Sequence, residues 1–167
     1  MDKLINAVEN SLQNKNWYAA LFVALSLPDI CGRLENPTSK SLERYVVWFN
    51  KYLRNEYTRG IGPFGKKIVT FLSGKDCYAL RCAYLHEGRD EITDQRCQQV
   101  LNNFRFTTDL SHRNYFNFNN NAILQLNVEI FCNEICTGVK QWLNDVSSDQ
   151  NIQNKMSKML KVYDSIF

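Results

Sequence analysis

The sequence predicts a mainly α protein: an up-and-down bundle of five to six helices with a small antiparallel β insert near residues 103–126. Three observations carry this. Apolar residues recur at helical spacing in both the first and the last third of the chain. A largely apolar stretch between Ser73 and Gly88 is punctuated at both ends by helix-boundary residues. Between residues 100 and 126 the pattern changes to alternation around an Asn119-Asn120-Asn121 turn signal.

Leu4, Ile5, Val8 and Leu12 share one face of a short first helix, which ends at the polar run 14–16. Residues 17–27 are apolar nearly all round, as a buried helix requires. Pro28 is expected to break or kink it, with Asp29 placed to cap the next helical segment. Thr38 or Ser39 then opens an amphipathic helix whose inner face is Leu42, Tyr45, Val46, Phe49, Tyr52 and Leu53. Residues 54–67 hold three glycines, Pro63 and the cations Arg54, Arg59, Lys66 and Lys67, and are expected to form a mobile surface loop.

Ser73-Gly74-Lys75-Asp76 has the form of a capping box, and Gly88 is a C-terminal stop. The helix between them is expected at the centre of the fold. Aromatic residues from Phe104 to Phe118 suit the buried face of short strands, with residues 122–126 as the returning strand. Helicity resumes near Asn127, where Val128, Phe131, Cys132, Ile135, Cys136, Val139 and Trp142 form one stripe. A last amphipathic helix is expected over residues 152–163.

A chain of 167 residues with 44% hydrophobic content fits one domain over residues 1–167 with its own core. The net charge of +3 permits a nucleic-acid partner without indicating one. Met1-Asp2-Lys3 leads into an amphipathic segment, not the apolar core of a signal peptide, and the longest apolar run is about half of what a bilayer requires. A cytoplasmic protein with no membrane partner is expected. The six cysteines sit mostly in apolar helical patterns and read as reduced thiols. There is no Gly-rich phosphate loop, no Ser-His-Asp ordering and no paired carboxylates suited to acid–base work. Two histidines are too few for His-rich metal catalysis.

The concentrated chemical signal is Arg81 and His86, the two basic groups of the apolar helix between the Ser73–Asp76 cap and Gly88. As a spacing the pair means little, because Arg105 and His112 reproduce a similar one. Its setting means more. A buried cation needs a partner or an anionic ligand. The negative end of a helix favours imidazolium at His86. Such a pair suits a phosphodiester, one group handling the proton and the other stabilising the phosphorane charge. Five residues of helix rotate by about 140°, so either Arg81 reaches round or a second copy of the helix completes the site, which predicts a homodimer.

The segment Leu80-Arg81-Cys82-Ala83-Tyr84-Leu85-His86-Glu87-Gly88 resembles the Arg-x4-6-His signature of the HEPN superfamily (nucleotide-binding domains of higher eukaryotes and prokaryotes). Asn16-Trp17-Tyr18-Ala19-Ala20 and Leu27-Pro28-Asp29-Ile30-Cys31-Gly32 are similar to uncharacterised prokaryotic proteins of this kind. The resemblance implies a helical bundle. It also implies a metal-independent endoribonuclease of prokaryotic defence or stress type, with His86 as general acid/base, Arg81 on the phosphate, and no cofactor. RNA or a nucleotide, a second copy of the chain and a cognate antitoxin would be its partners. Other members are inactive and bind nucleotides or proteins. The family often has Asn, Asp or His after the arginine; this chain has Cys82.

Alternatives stay open. Arg81 could pair with Asp29, Glu43 or Asp76 and His86 could satisfy its own helix end, a purely structural use of both. Asp29 and Arg33, one turn apart, are either a surface ion pair or pocket residues. Arg59, Lys66 and Lys67 are candidate substrate contacts, with Tyr57 and Phe64 interleaved for stacking. Cys82, His86, Cys132 and Cys136 have spacings that would allow a zinc site if their helices faced each other.

Overall fold

The computed structural model describes residues 1–93, 95 and 97–162. The fold is mainly α, with six helices among the described residues and two small sheets. Helix α1 (Asp2–Gln13) buries Ile5, Val8 and Leu12, as their spacing requires. Helix α2 (Trp17–Glu35) begins at Asn16, whose side chain accepts from the Ala19 N–H at 3.3 Å. It packs on both α1 and the long helix α5 (Val128–Asp145).

Helix α2 departs from expectation at two points. Pro28 does not break it: the helix runs on to Glu35 with Pro28 buried inside it. The burial of Leu27, Cys31 and Leu34 along one flank offsets the one backbone hydrogen bond that proline forfeits. Asp29 is therefore no cap but a carboxylate in mid-helix. Nor is α2 buried all round, since Tyr18 and Phe22 face outward. By length and composition it could cross a membrane, though half of it is buried within the fold.

Helix α3 (Ser41–Tyr52) buries Tyr45, Trp48, Phe49 and Tyr52. It starts later than expected: Lys40 is the N-cap and no side chain caps the helix. Residues 54–67 are not a structureless loop. A 3-10 turn (Arg54–Tyr57) leads into β1 (Thr58–Ile61), which pairs antiparallel with β2 (Lys67–Thr70) around a Pro63–Gly65 turn. The glycines supply turn geometry: Gly62 and Gly65 have φ of 81° and 65°.

Helix α4 (Gly74–Glu87) matches its boundary signals. Ser73 accepts from the Asp76 N–H at 3.1 Å, and Gly88 closes the helix in the left-handed conformation. Asp76 does more than complete a box. Its fully buried carboxylate takes the Ser73 hydroxyl and the backbone amides of Gln99, Val100 and Leu101. It thereby ties the chain after α4 back onto the start of that helix. Helix α4 is central on one side only: Cys77, Leu80 and Ala83 are buried, whereas Tyr84 and Leu85 are half-buried.

The insert holds β3 (Asn103–Thr107), β4 (Asn114–Phe118) and β5 (Asn121–Asn127), but the sheet is mixed. Strand β5 lies in the middle, antiparallel to β4 and parallel to β3. The β4–β5 turn is the expected one, with Asn119 and Asn120 at φ of 50° and 62°. The parallel pair arises because the chain between β3 and β4 is anchored at the start of α5. Asn127 there donates its side-chain amide to the Asp109 carbonyl and its backbone N–H to His112 Nδ1. That anchorage carries β4 to the far side of β5.

The aromatic cluster divides accordingly. Phe104 is core, and Phe106 sits against Phe131 of α5 with ring centres 5.6 Å apart, but Phe116 and Phe118 are exposed on the edge strand. Helix α6 (Gln150–Ser157) is shorter than the expected 152–163 segment, whose last residue lies outside the described residues.

Candidate functional site

Arg81 and His86 leave α4 in different directions. Arg81 turns inward to the seam between α2 and α3, where its Nη2 donates to Asp29 Oδ2 at 3.1 Å. The other oxygen of Asp29 takes Arg44 Nε at 2.7 Å and the Ser41 hydroxyl at 2.9 Å, both from α3. Arg44 also donates to the Ser39 carbonyl. The ion-paired side chains keep only 14–17% of their surface exposed. Of the three carboxylates considered for Arg81, Asp29 is the one it meets.

The charge in this seam does not cancel. Two guanidinium groups share one carboxylate, and among the described residues no second acid lies within ion-pair distance of either arginine. Arg81 Nε is buried without a hydrogen-bond partner among the described residues, and its guanidinium stands 5.6 Å from the centre of the Tyr78 ring. The seam therefore holds a fixed excess positive charge at low exposure, where water screens it weakly.

His86 lies on the outer side of the last turn of α4, solvent-accessible and with no side-chain hydrogen bond or ion pair among the described residues. The accessible imidazole and the pinned guanidinium are thus separated by the helix rotation the spacing implies. Cys82, between them, is half-buried.

The other expected contacts do not join this site. Arg33 is exposed and bonds the Pro37 carbonyl, so it forms no pair with Asp29. Arg59, Lys66 and Lys67 stand exposed on the β1–β2 hairpin, with no hydrogen bond or ion pair to Arg81 or His86. Among the described residues no three His, Cys, Asp or Glu side chains are grouped to hold a metal ion, so Cys82, His86, Cys132 and Cys136 make no such set. Burial pushes the Cys136 thiol up to about 11 and raises Cys132 further, which keeps both as protonated core residues.

A second polar constellation has no counterpart among the sequence motifs. Glu134 of α5 accepts from the Tyr57 hydroxyl, from Arg113 Nη2 and from His112 Nε2, the last at 3.2 Å. Because His112 Nδ1 accepts the Asn127 N–H at 3.1 Å, the network assigns the ring proton to Nε2. Burial holds the imidazole below its ordinary range against the pull of Glu134, with Arg113 and Arg59 adding a smaller repulsion.

Arg113 sits at φ 60° and bridges Glu134 to Glu56, the latter at 2.8 Å, with Tyr57 under its guanidinium. Both carboxylate oxygens of Glu134 are engaged, so this cluster reads as a clasp joining the hairpin base, the β3–β4 chain and α5. A groove of about 470 Å³ runs beside it, lined by Tyr52, Glu56, Glu134 and Gly138. The one local signal for the clasp is Glu134 itself, an acid beside the apolar stripe of α5. Its partners at 57, 112 and 113 are too distant in sequence to infer.

Compared with known protein families, curated proteins and solved structures, the chain finds no match.

Proposed function

We propose that the chain is a HEPN-like protein of prokaryotic defence or stress type. In this reading it cleaves RNA in the cytoplasm without a metal, through His86 and Arg81. The observation that carries the reading is the presence on one helix of an accessible, unbonded imidazole at the end of α4 and a guanidinium that shares its one carboxylate with Arg44. His86 handles the proton of the attacking or leaving oxygen. The positive seam stabilises charge on the phosphate. Asp29 acts as a positioning residue, holding Arg81 by an ion pair and itself held by Arg44, instead of touching substrate.

In the same reading the six helices form an up-and-down bundle that works as a homodimer. Arg81 and His86 diverge within one chain, so two α4 ends meeting at a two-fold axis let His86 of each copy approach the seam of the other. A cognate antitoxin would cover that face.

One observation favours a second reading. Arg81 is already engaged by Asp29, as a non-catalytic nucleotide-binding or protein-interaction module of this fold would have it. The discriminating experiment is incubation of the purified protein with mixed RNA in EDTA. Wild type is expected to cleave, and His86→Ala and Arg81→Ala to abolish cleavage, with circular dichroism confirming that each variant is folded. Cleavage that survives both substitutions ends the nuclease reading. Nucleotide binding without cleavage by wild type establishes the second.

A further inference from the structure

The β1–β2 hairpin has no part in the Arg81–His86 site, yet it concentrates the charge of the chain. Residues 54–70 carry Arg54, Arg59, Lys66 and Lys67 against Glu56 alone, a net charge of +3 that equals the formal charge of the whole protein. Glu56 is held by Arg113 at 2.8 Å. Arg59, Lys66 and Lys67 are exposed and make no ion pair among the described residues. The register Arg59↔Val69 and Ile61↔Lys67 puts Arg59 and Lys67 on one face of the ribbon, diagonal to each other.

At the tip stands Phe64, 98% exposed and in the left-handed region at φ 59°. A bulky residue in that conformation is a backbone outlier, and a side chain with no burial returns nothing to the fold. The tip that imposes it is closely built. Gly65 N–H donates to the Gly62 carbonyl at 3.1 Å, and a Cβ on Gly60 would lie 2.9 Å from the Gly65 carbonyl oxygen. A strained, fully presented ring among unpaired cations is the composition of a stacking platform for a polyanion.

We propose that the hairpin binds single-stranded RNA, with Phe64 stacking on an unpaired base and Arg59, Lys66 and Lys67 meeting the flanking phosphates. The naming of RNA as the polymer rests on the nuclease reading; the hairpin's own observations require a polyanion with exposed flat faces. A single strand meets that description, because its bases are free to leave their neighbours and stack on a protein ring, whereas duplex bases are already stacked.

The test measures binding of a labelled 20-nucleotide oligouridylate to full-length His86→Ala protein in EDTA, so that cleavage does not interfere. Adding Phe64→Ala is expected to weaken binding roughly tenfold, the lower part of the range for loss of a base stack. Adding Lys66→Gln with Lys67→Gln is expected to weaken it at low salt and to lower the salt slope by about 1.4. Neither change touches a buried side chain, so both leave the fold intact.

Unchanged binding in both variants overturns the proposal. So does binding of a duplex as tightly as the single strand. Attachment to phosphatidylserine vesicles without oligouridylate binding overturns it in favour of a membrane role. The two readings fail separately. Cleavage that persists when all three hairpin substitutions are made in a protein retaining His86, with binding unchanged, removes the hairpin and leaves His86. Hairpin-dependent binding by a protein that cleaves nothing keeps the hairpin and removes the nuclease.

Discussion

Asp29 of α2 joins Arg81 of α4 at 3.1 Å while its other oxygen holds Arg44 of α3 at 2.7 Å, so one carboxylate ties three helices together. Each group is poorly exposed, and removing the shared anion leaves two cations facing each other. Asp29→Asn is expected to cost about 2 kcal/mol, below the range for fully buried pairs because some solvent reaches the seam. His86→Ala, at an accessible position, is expected to stay within about 0.5 kcal/mol of wild type. Urea unfolding of both variants checks this. Equal stabilities would mean that the Asp29 pair does not hold the helices.

Gly32, one turn beyond Asp29, sets how closely α2 and α3 approach. A Cβ there would lie 2.9 Å from the Arg44 carbonyl oxygen and 3.0 Å from Arg44 Cβ. In a free helix Gly→Ala gains about 1 kcal/mol. Here the clash is with backbone, and overpacking of this kind costs about 1–3 kcal/mol. Gly32→Ala is therefore expected to destabilise despite the better helix former. Its effect should be less than additive with Asp29→Asn, since both loosen the Arg44 contact. A thermal melt showing a raised midpoint for Gly32→Ala would contradict the close approach.

His112 predicts a pH dependence. Its folded form is held neutral by burial and by the accepted Asn127 N–H, so its protonation lies below the ordinary range of the unfolded chain. Above about pH 6.5 both states are neutral and nothing is lost. As the pH falls below that value the unfolded chain takes up a proton that the folded protein refuses. Stability falls, at most by about 1.4 kcal/mol per pH unit. Glu134, Arg113 and Arg59 are the charges that face the ring. His112→Gln is expected to flatten the difference between urea midpoints at pH 7 and pH 5. An unchanged slope would place the loss elsewhere.

Local punctuation is legible in the sequence because it depends on neighbouring residues alone. Ser73 and Gly88 bound α4, Asn127 starts α5, and the Asn119-Asn120 pair turns the β4–β5 hairpin, each by a backbone or capping requirement satisfied within a few residues. Pro28 and the segment 54–67 depart from their local signals. At Pro28, burial across a whole helix flank outweighs one lost hydrogen bond. In the segment 54–67 the glycines shape a paired hairpin, a choice that composition does not distinguish from a loop.

Arg81 and His86 show the same division. The sequence by itself determined that Arg81 and His86 sit on one capped helix, about 140° apart, and that a buried guanidinium there needs an anion. Only the tertiary structure decided that the anion is Asp29, that Arg44 shares it, and that His86 stays open to solvent. The periodicity of a helix is a local property carried by residue spacing. The partner of a buried charge is set by which helices pack against it, and that depends on contacts tens of residues away.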